Sequence, residues 1–467
     1  SIISDIDDLC EERTLFFECG PGLNVSLVIR FLNESGEVLS TEIVPSNVNH
    51  TWEIIDNCTQ VKLGLRIYSS GSCDVKRVLF EHRDLSPKKI ITQHNNLILA
   101  NNYPSYHDLY KNGFLHSRAS SYREMGVNVD IFTLNNKMLN YYEFHNIDVI
   151  SGTNVSLGKV IEDGKYKNIM VHFLDEEMWE VIKDIAPDTN IFIWAHGVEI
   201  QPWYRRMFNY PDDVSLEIAK IKSEERMEFW RSIFSNFRKN MKMIFVSKYF
   251  ANEVMEDLGI KLKKSQFEVI HNPIDTSRFK FVEKTPEQRK KVLSIRTFAS
   301  PKYGNDISVN AIIELSKYPF FDDLEFMIAG DGELFDEITA PLKKFTNVTI
   351  RKGFLSNKEY EEIFLEYGIF LTPTRWDSHG VSRDEAMSAG LVPATNNVSA
   401  IPEFVDASCA ILANAEDHVG LAEGIAELYH NPELFIEMSN NAAQRVRKQT
   451  CSTITIPQEL ALMERKT

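Results

Sequence analysis

Cysteine is scarce in this chain: there are six in 467 residues, and no pair stands in a Cys-x-x-Cys spacing. Without that spacing a zinc site is not expected. Cys10, Cys19, Cys58 and Cys73 fall near the start, while Cys409 and Cys451 lie far away. The first four could pair in an oxidising compartment; with no secretory signal visible, they are expected to be reduced and mostly buried. Long apolar runs are missing too, none approaching the ~18 residues of a membrane span. Basic residues are outnumbered, 51 Lys and Arg against 67 Asp and Glu, for a formal net charge of −16. That balance excludes nucleic acid as the main partner and favours a cytoplasmic protein. Any phosphate site must then be local, built from a few basic side chains and helix ends. The chain begins at Ser1 rather than at a methionine, as a piece of a longer protein would.

What is present is ordinary globular material, 43% apolar, enough for about three domains. Residues 1–86 read as all-β. Alternating segments at 23–31, 38–44, 61–68 and 75–81 are separated by turns at 33–37 and 69–72. Short strands at this spacing predict a β-sandwich. It resembles the jelly-roll modules attached to polysaccharide enzymes, and both sugar binding and a purely structural role stay open. Ser86-Pro87-Lys88-Lys89 reads as a linker. From residue 96 onward, short apolar strands alternate with helices, the pattern of parallel sheets.

The most informative stretch is 369–405. Ile369-Phe370-Leu371-Thr372 predicts a buried parallel strand. A loop follows with Asp377, His379 and Gly380, then a helix that Gly390 closes. Ser382 is expected to cap that helix, with Glu385 three residues on as its capping-box partner. Two carboxylates, Asp377 and Glu385, thus flank a glycine loop and a helix N-terminus, where free N–H groups and a positive dipole suit a phosphate. Glu385 has two open readings at this point, cap partner or ligand-binding group.

This stretch resembles the signature of family 4 of the retaining glycosyltransferases (glycosyl transferases group 1), enzymes of the GT-B fold. The pattern is an acid, seven residues, then Glu-Ala-Met, a small residue and Gly. Here it reads Asp377 followed by Glu385-Ala386-Met387-Ser388-Ala389-Gly390, with Asp in place of the usual first Glu. Further motifs follow the family's order. His196-Gly197 ends the apolar strand at 190–195, and Asn272-Pro273-Ile274-Asp275 carries Pro273 where Gly is usual. Arg296 and Lys302 follow the strand at 292–295, at a spacing one residue longer than the family's. Gly330-Asp331-Gly332 and Gly353-Phe354-Leu355 follow the next two strands. The similarity runs from about residue 95 to 450.

The resemblance implies an α/β GT-B fold, two Rossmann-like domains facing a cleft, preceded by the small all-β sandwich. Its expected parts are the sandwich (1–86), an acceptor-side domain (87–283), a nucleotide-sugar-binding domain (284–454) and a segment crossing back (455–467). It implies transfer of a hexose from a nucleotide diphosphate sugar to a glycan or lipid-linked glycan, with retention, in surface polysaccharide biosynthesis. It also implies no cofactor and no metal, and no Asp-x-Asp stands at a strand end in the catalytic half. Arg296, Lys302, Asp377, Glu385 and His196 are the implied catalytic residues. Gly113, Gly330, Gly353, Phe354, Leu355, His379, Gly380, Val381 and Ser382 are the implied substrate-binding residues. A structural role for His196 stays open. So do a nucleotide-sugar epimerase or hydrolase on the same fold, a non-catalytic glycan-binding scaffold, and peripheral association with the inner face of a membrane.

Overall fold

The computed structural model describes residues 2–5, 14–19, 25–68, 75–81, 83–84, 94–106, 108, 111–135, 140–353, 355 and 357–464. The turn expected at 69–72, the linker at 86–89, and Cys10, Cys73 and Phe354 lie outside them. The chain divides into two compact units. One holds residues 1–194 with 239–242 and 463–467; the other holds 195–238 with 243–462. Among the described residues no helix is long and apolar enough to cross a membrane.

The first unit opens with the expected sandwich, built of two four-stranded antiparallel sheets. Ile2–Asp5, Gln60–Ile67, Val25–Leu32 and Val38–Pro45 form one; Asn49–Thr51, Thr14–Cys19, Val75–Phe80 and Arg83–Asp84 form the other. Alternation drives the assembly. Leu15, Phe17 and Phe80 of one sheet meet Ile29, Phe31 and Leu63 of the other, with Trp52 between them. Cys19 and Cys58 are buried here, as Cys409 and Cys451 are in the second unit.

Beyond the sandwich lies a parallel sheet with neighbours Ile147–Gly152, Asp130–Leu134, Asn96–Ala100, Asn168–His172 and Asn190–Ala195. Asn140–Phe144, unforeseen in the sequence, adds an antiparallel edge. Gly113 opens the helix Gly113–Glu124 that follows the first of these parallel strands, with Asn112 before it in the left-handed region at φ 56°. The last helix, Ser452–Glu464, ends in this unit, where Asn168 donates to the Met463 carbonyl at 3.2 Å.

The second unit is built on six parallel strands in the order Val348–Lys352, Glu325–Gly330, Lys291–Ile295, Ile369–Leu371, Val392–Asn396, Ile411–Ala413. Numbered along the chain this is 3-2-1-4-5-6, the doubly wound order. Its strand order reverses between Lys291–Ile295 and Ile369–Leu371, and ligands of such sheets bind outside the carboxyl ends at that point. Met241–Phe245 and Phe267–Val269 extend the first parallel sheet beyond Asn190–Ala195. Polar bonds also tie the helix between them to other segments of the second unit. Glu403 accepts from the Lys248 and Tyr249 N–H groups at 2.9 Å each, at the start of the helix Lys248–Leu258, and Trp376 donates to Glu253 at 3.0 Å.

Gly330 sets how closely two strand ends approach. Its φ is 154°, and a Cβ there would sit 1.8 Å from the Arg296 carbonyl oxygen. Gly330→Ala should therefore destabilise the protein by about 3 kcal/mol or more, since the obstruction is backbone and cannot rotate away. Urea denaturation checks this.

Candidate active site

Arg296 follows directly on Lys291–Ile295, at the strand-order reversal. Its side chain is 9% exposed and rises over the Tyr303 ring, 5.1 Å from the centroid. Nη1 donates to Ser382 Oγ at 3.0 Å. Nε and Nη2, both buried, have no hydrogen-bond partner among the described residues. Burial pulls the guanidinium below its ordinary value, while Asp377 pulls the other way. Buried donors without partners are costly, so this geometry suits an anionic ligand.

Ser382 was expected to cap the following helix. The structure corrects this: Gly380, in the left-handed region at φ 94°, is the N-cap of Val381–Ser388, and Ser382 lies inside the first turn. A Ser-x-x-Glu pattern that starts two residues past the N-cap leaves the hydroxyl for Arg296 and the Glu385 carboxylate without a capping role. Glu385 instead accepts from the Tyr360 hydroxyl at 3.3 Å. Burial raises the Glu385 carboxyl to about 7, against the pull of Arg278 and Tyr360.

Asp377 sits on the loop leaving Ile369–Leu371. Its N–H donates to Ser399 Oγ at 2.9 Å, and its Oδ1 accepts from the His379 N–H at 3.1 Å. Burial pushes the carboxyl up, but Lys302 and Arg296 outweigh it and hold Asp377 below its ordinary value. Lys302 lies on the short turn Pro301–Tyr303, its ammonium over the rings of Trp376 (5.1 Å) and Tyr303 (5.3 Å). His196 comes to the same place through its backbone: its carbonyl accepts from Ser378 Oγ at 2.8 Å. Glu199 accepts from the His196 N–H and, at 3.0 Å, from the Gly197 N–H.

Four of the implied binding residues are bonded or packed within the protein. His379 is fully buried, with Nδ1 accepting from the Asn272 N–H at 3.1 Å, which leaves Nε2–H to donate to Asp384 Oδ2 at 3.0 Å. Its ring stacks on Phe404, centroids 4.1 Å apart. Val381 packs against the apolar cluster of Ile274, Met387 and Ile401. Leu355 is 3% exposed. Gly353 donates its N–H to the Gly330 carbonyl at 2.9 Å, tying two strand ends together. In the first unit, a Cβ on Gly113 would meet nothing within 4 Å.

Several participants escaped the sequence reading. Tyr360 and Trp376 are aromatics whose partners Glu385 and Glu253 lie in other segments, while Tyr303 sits under its near neighbours Arg296 and Lys302. Trp376 adjoins Asp377, and Glu199 follows His196 by three residues; that adjacency was the available signal. Trp194, on the strand that leads into His196, is core, 1% exposed and stacked on His172. Beneath the helix N-terminus, Arg383 pairs bidentately with Asp384 Oδ1 at 2.9 and 2.6 Å, both residues 1% exposed.

Residues 275–448 match the family model described as Glycosyl transferases group 1. A curated relative, an uncharacterized 41.2 kDa protein in the cps region of Klebsiella pneumoniae, is 28% identical over 191 residues. That match covers 38% of this chain and 49% of the relative, so the chain spans about half the length of the curated relative it matches. Solved structures share the fold. Sucrose-phosphate synthase from Thermosynechococcus elongatus gives a TM-score of 0.61 at 12% identity, over 79% of this chain and 98% of that one. Anabaena HepE, in complex with UDP and glucose, gives 0.58 at 13%, over 79% and 99%. WaaG, a glycosyltransferase involved in lipopolysaccharide biosynthesis, gives 0.57 at 14%, over 79% and 98%.

The Arg383–Asp384 pair lends itself to a stability test. Asp384→Ala leaves a buried, uncompensated guanidinium and should cost about 3–5 kcal/mol. Although burial pushes the Asp384 carboxyl up, Arg383 and His379 hold it below its ordinary value. The stabilisation is therefore complete above the ordinary carboxylate value and is lost as pH falls through the lowered one. Denaturant titrations of both proteins between pH 7 and the acid limit measure it.

Proposed function

Starting from residues 275–448 as a domain of the glycosyl transferases group 1 family, in a chain of two Rossmann-like domains of the GT-B fold, we propose that this protein transfers a hexose from a nucleotide diphosphate sugar to a hydroxyl of a glycan or lipid-linked glycan. The transfer retains anomeric configuration and serves surface polysaccharide biosynthesis. The observation that carries the reading is Arg296: a buried guanidinium at the strand-order reversal, with Nε and Nη2 unpartnered, tied through Ser382 to the N-terminus of Val381–Ser388. Fixed cations and helix N–H groups are what a departing diphosphate needs. The relative in a cps region and the relative crystallised with UDP and glucose support polysaccharide and nucleotide-sugar chemistry.

In this reading the bond between the sugar anomeric carbon and the β-phosphate oxygen breaks, with its electron pair leaving on the phosphate. The acceptor oxygen bonds the anomeric carbon on the same face, and its proton passes to the leaving phosphate. Arg296 and Lys302 stabilise the charge that builds on the β-phosphate, in the role a metal ion has in other transferases. Glu385 accepts from the ribose hydroxyls, Asp377 binds a sugar hydroxyl, and His196 faces the sugar from its strand end.

Incubation with UDP-, GDP- and ADP-sugars, with and without a glycan acceptor pool, tests the activity. Acceptor-dependent nucleotide release is expected. Release without acceptor indicates a hydrolase, and no release with any pair removes the transferase reading. Arg296→Ala should lower turnover by roughly 10²-fold, on the order of 3 kcal/mol. A near-normal rate takes Arg296 out of the site.

Glu385 gives a pH test. Its folded value of about 7 lies above the ordinary carboxyl value, so apo stability should fall as pH rises between the two. Nucleoside diphosphate affinity should rise over the upper part of that range as the carboxylate forms. In Glu385→Gln both trends flatten, leaving only the ligand's own ionisation, and affinity at pH 8 drops at least about tenfold. Calorimetry with UDP, GDP and ADP across pH 5.5–8.5 measures it.

A further inference from the structure

Lys302 stands on a three-residue turn, and such a turn does not by itself hold a long side chain in one place. We propose that Arg375 is the positioning residue that fixes Lys302 for anion binding. The inference rests on the proposed diphosphate site and extends it to a residue that does not touch the ligand.

Arg375 is itself immobilised. It makes a bidentate pair with Asp306, Nη1 to Oδ1 at 2.9 Å and Nη2 to Oδ2 at 2.7 Å, and Nη2 also donates to Glu416 at 2.7 Å. From that anchored position it grips the Lys302 turn twice. Nη1 donates to the Pro301 carbonyl at 2.6 Å, and the Arg375 backbone N–H donates to the Lys302 carbonyl at 2.8 Å. Thr374 Oγ1 adds a second donor to the Lys302 carbonyl at 3.0 Å. On the other side, the Lys302 N–H donates to Ser300 Oγ at 3.1 Å. The next residue after Arg375, Trp376, places its ring under the ammonium, its own Nε1–H fixed by Glu253. A cation resting on aromatic faces is held without being neutralised. The backbone grip and the rings together orient the Lys302 charge before a ligand arrives, and this lowers the ordering cost of binding.

A double-mutant cycle tests the assignment, with inorganic pyrophosphate, UDP, GDP and ADP as calorimetric probes. Arg375→Ala should weaken diphosphate binding about five- to tenfold, and Arg375→Lys, which keeps the charge but loses the fork, by less. In the Lys302→Ala background, Arg375→Ala should have no further effect beyond about twofold. A purely structural role would give the same loss with or without Lys302, and that additivity, or wild-type affinity in Arg375→Ala, overturns the proposal. The underlying site reading fails separately. If the wild type binds none of the probes, or if Lys302→Ala and Arg296→Ala both bind as the wild type does, there is no anion site for Arg375 to serve. Melting temperatures recorded alongside identify any variant that fails to fold; for that case Thr374→Val loosens the same carbonyl more gently and enters the same cycle.

Discussion

The hydrogen bond from Arg296 to Ser382 is the link on which the candidate site depends. It joins the end of the first strand of the second sheet to the first turn of a helix 86 residues away. It holds the guanidinium in one orientation while engaging only one of its nitrogens. Around it the constraints accumulate. Gly330 has no Cβ because the Arg296 carbonyl occupies that space, and Gly380 turns left-handed so that the helix can begin beside the guanidinium. Tyr303 supports the cation from its ring face. The doubly wound strand order brings these distant segments together at the carboxyl ends of adjacent strands.

The electrostatics are local rather than global. A chain of net charge −16 gives an anion no long-range attraction. Lys302, Arg296 and the His379 N–H nonetheless overcome burial at Asp377 and hold its carboxyl below the ordinary value. Glu385 meets the opposite outcome a few residues away, because burial there outweighs Arg278 and Tyr360. Two carboxylates eight positions apart in sequence are thus separated in protonation by what surrounds them.

Most of the architecture was legible because buried parallel strands are short apolar runs and glycines mark their ends. Asn168–His172 and Asn190–Ala195 could be read directly, and so could Arg296 as the residue that ends its strand. Some strands were not legible: the inner strand Thr14–Cys19 and the edge strands Asn49–Thr51 and Asn140–Phe144 are partly polar or very short, so alternation gives little signal. The Ser382 cap was misread because Ser-x-x-Glu fits equally well within the first turn of a helix that a left-handed glycine starts. His379 looked like a ligand group beside Asp377, yet its neighbours in space, Asn272, Asp384 and Phe404, make it part of the support under the loop. Tyr360 and Arg375 owe their place to contacts across long stretches of chain, which no local pattern encodes.

The pair of bonds from the start of the Lys248–Leu258 helix to Glu403 carries a practical consequence. The two halves of such a chain are naturally imagined as separable at the start of the second sheet, near residue 284. Cutting there would leave Glu403 and Trp376 facing water where Lys248, Tyr249 and Glu253 had been, and would remove the His196 carbonyl that Ser378 holds. A C-terminal half produced on its own would then be a poorer protein than its sheet suggests. The segment 243–283 cannot simply be moved to the second half either, because Met241–Phe245 and Phe267–Val269 are strands of the first parallel sheet.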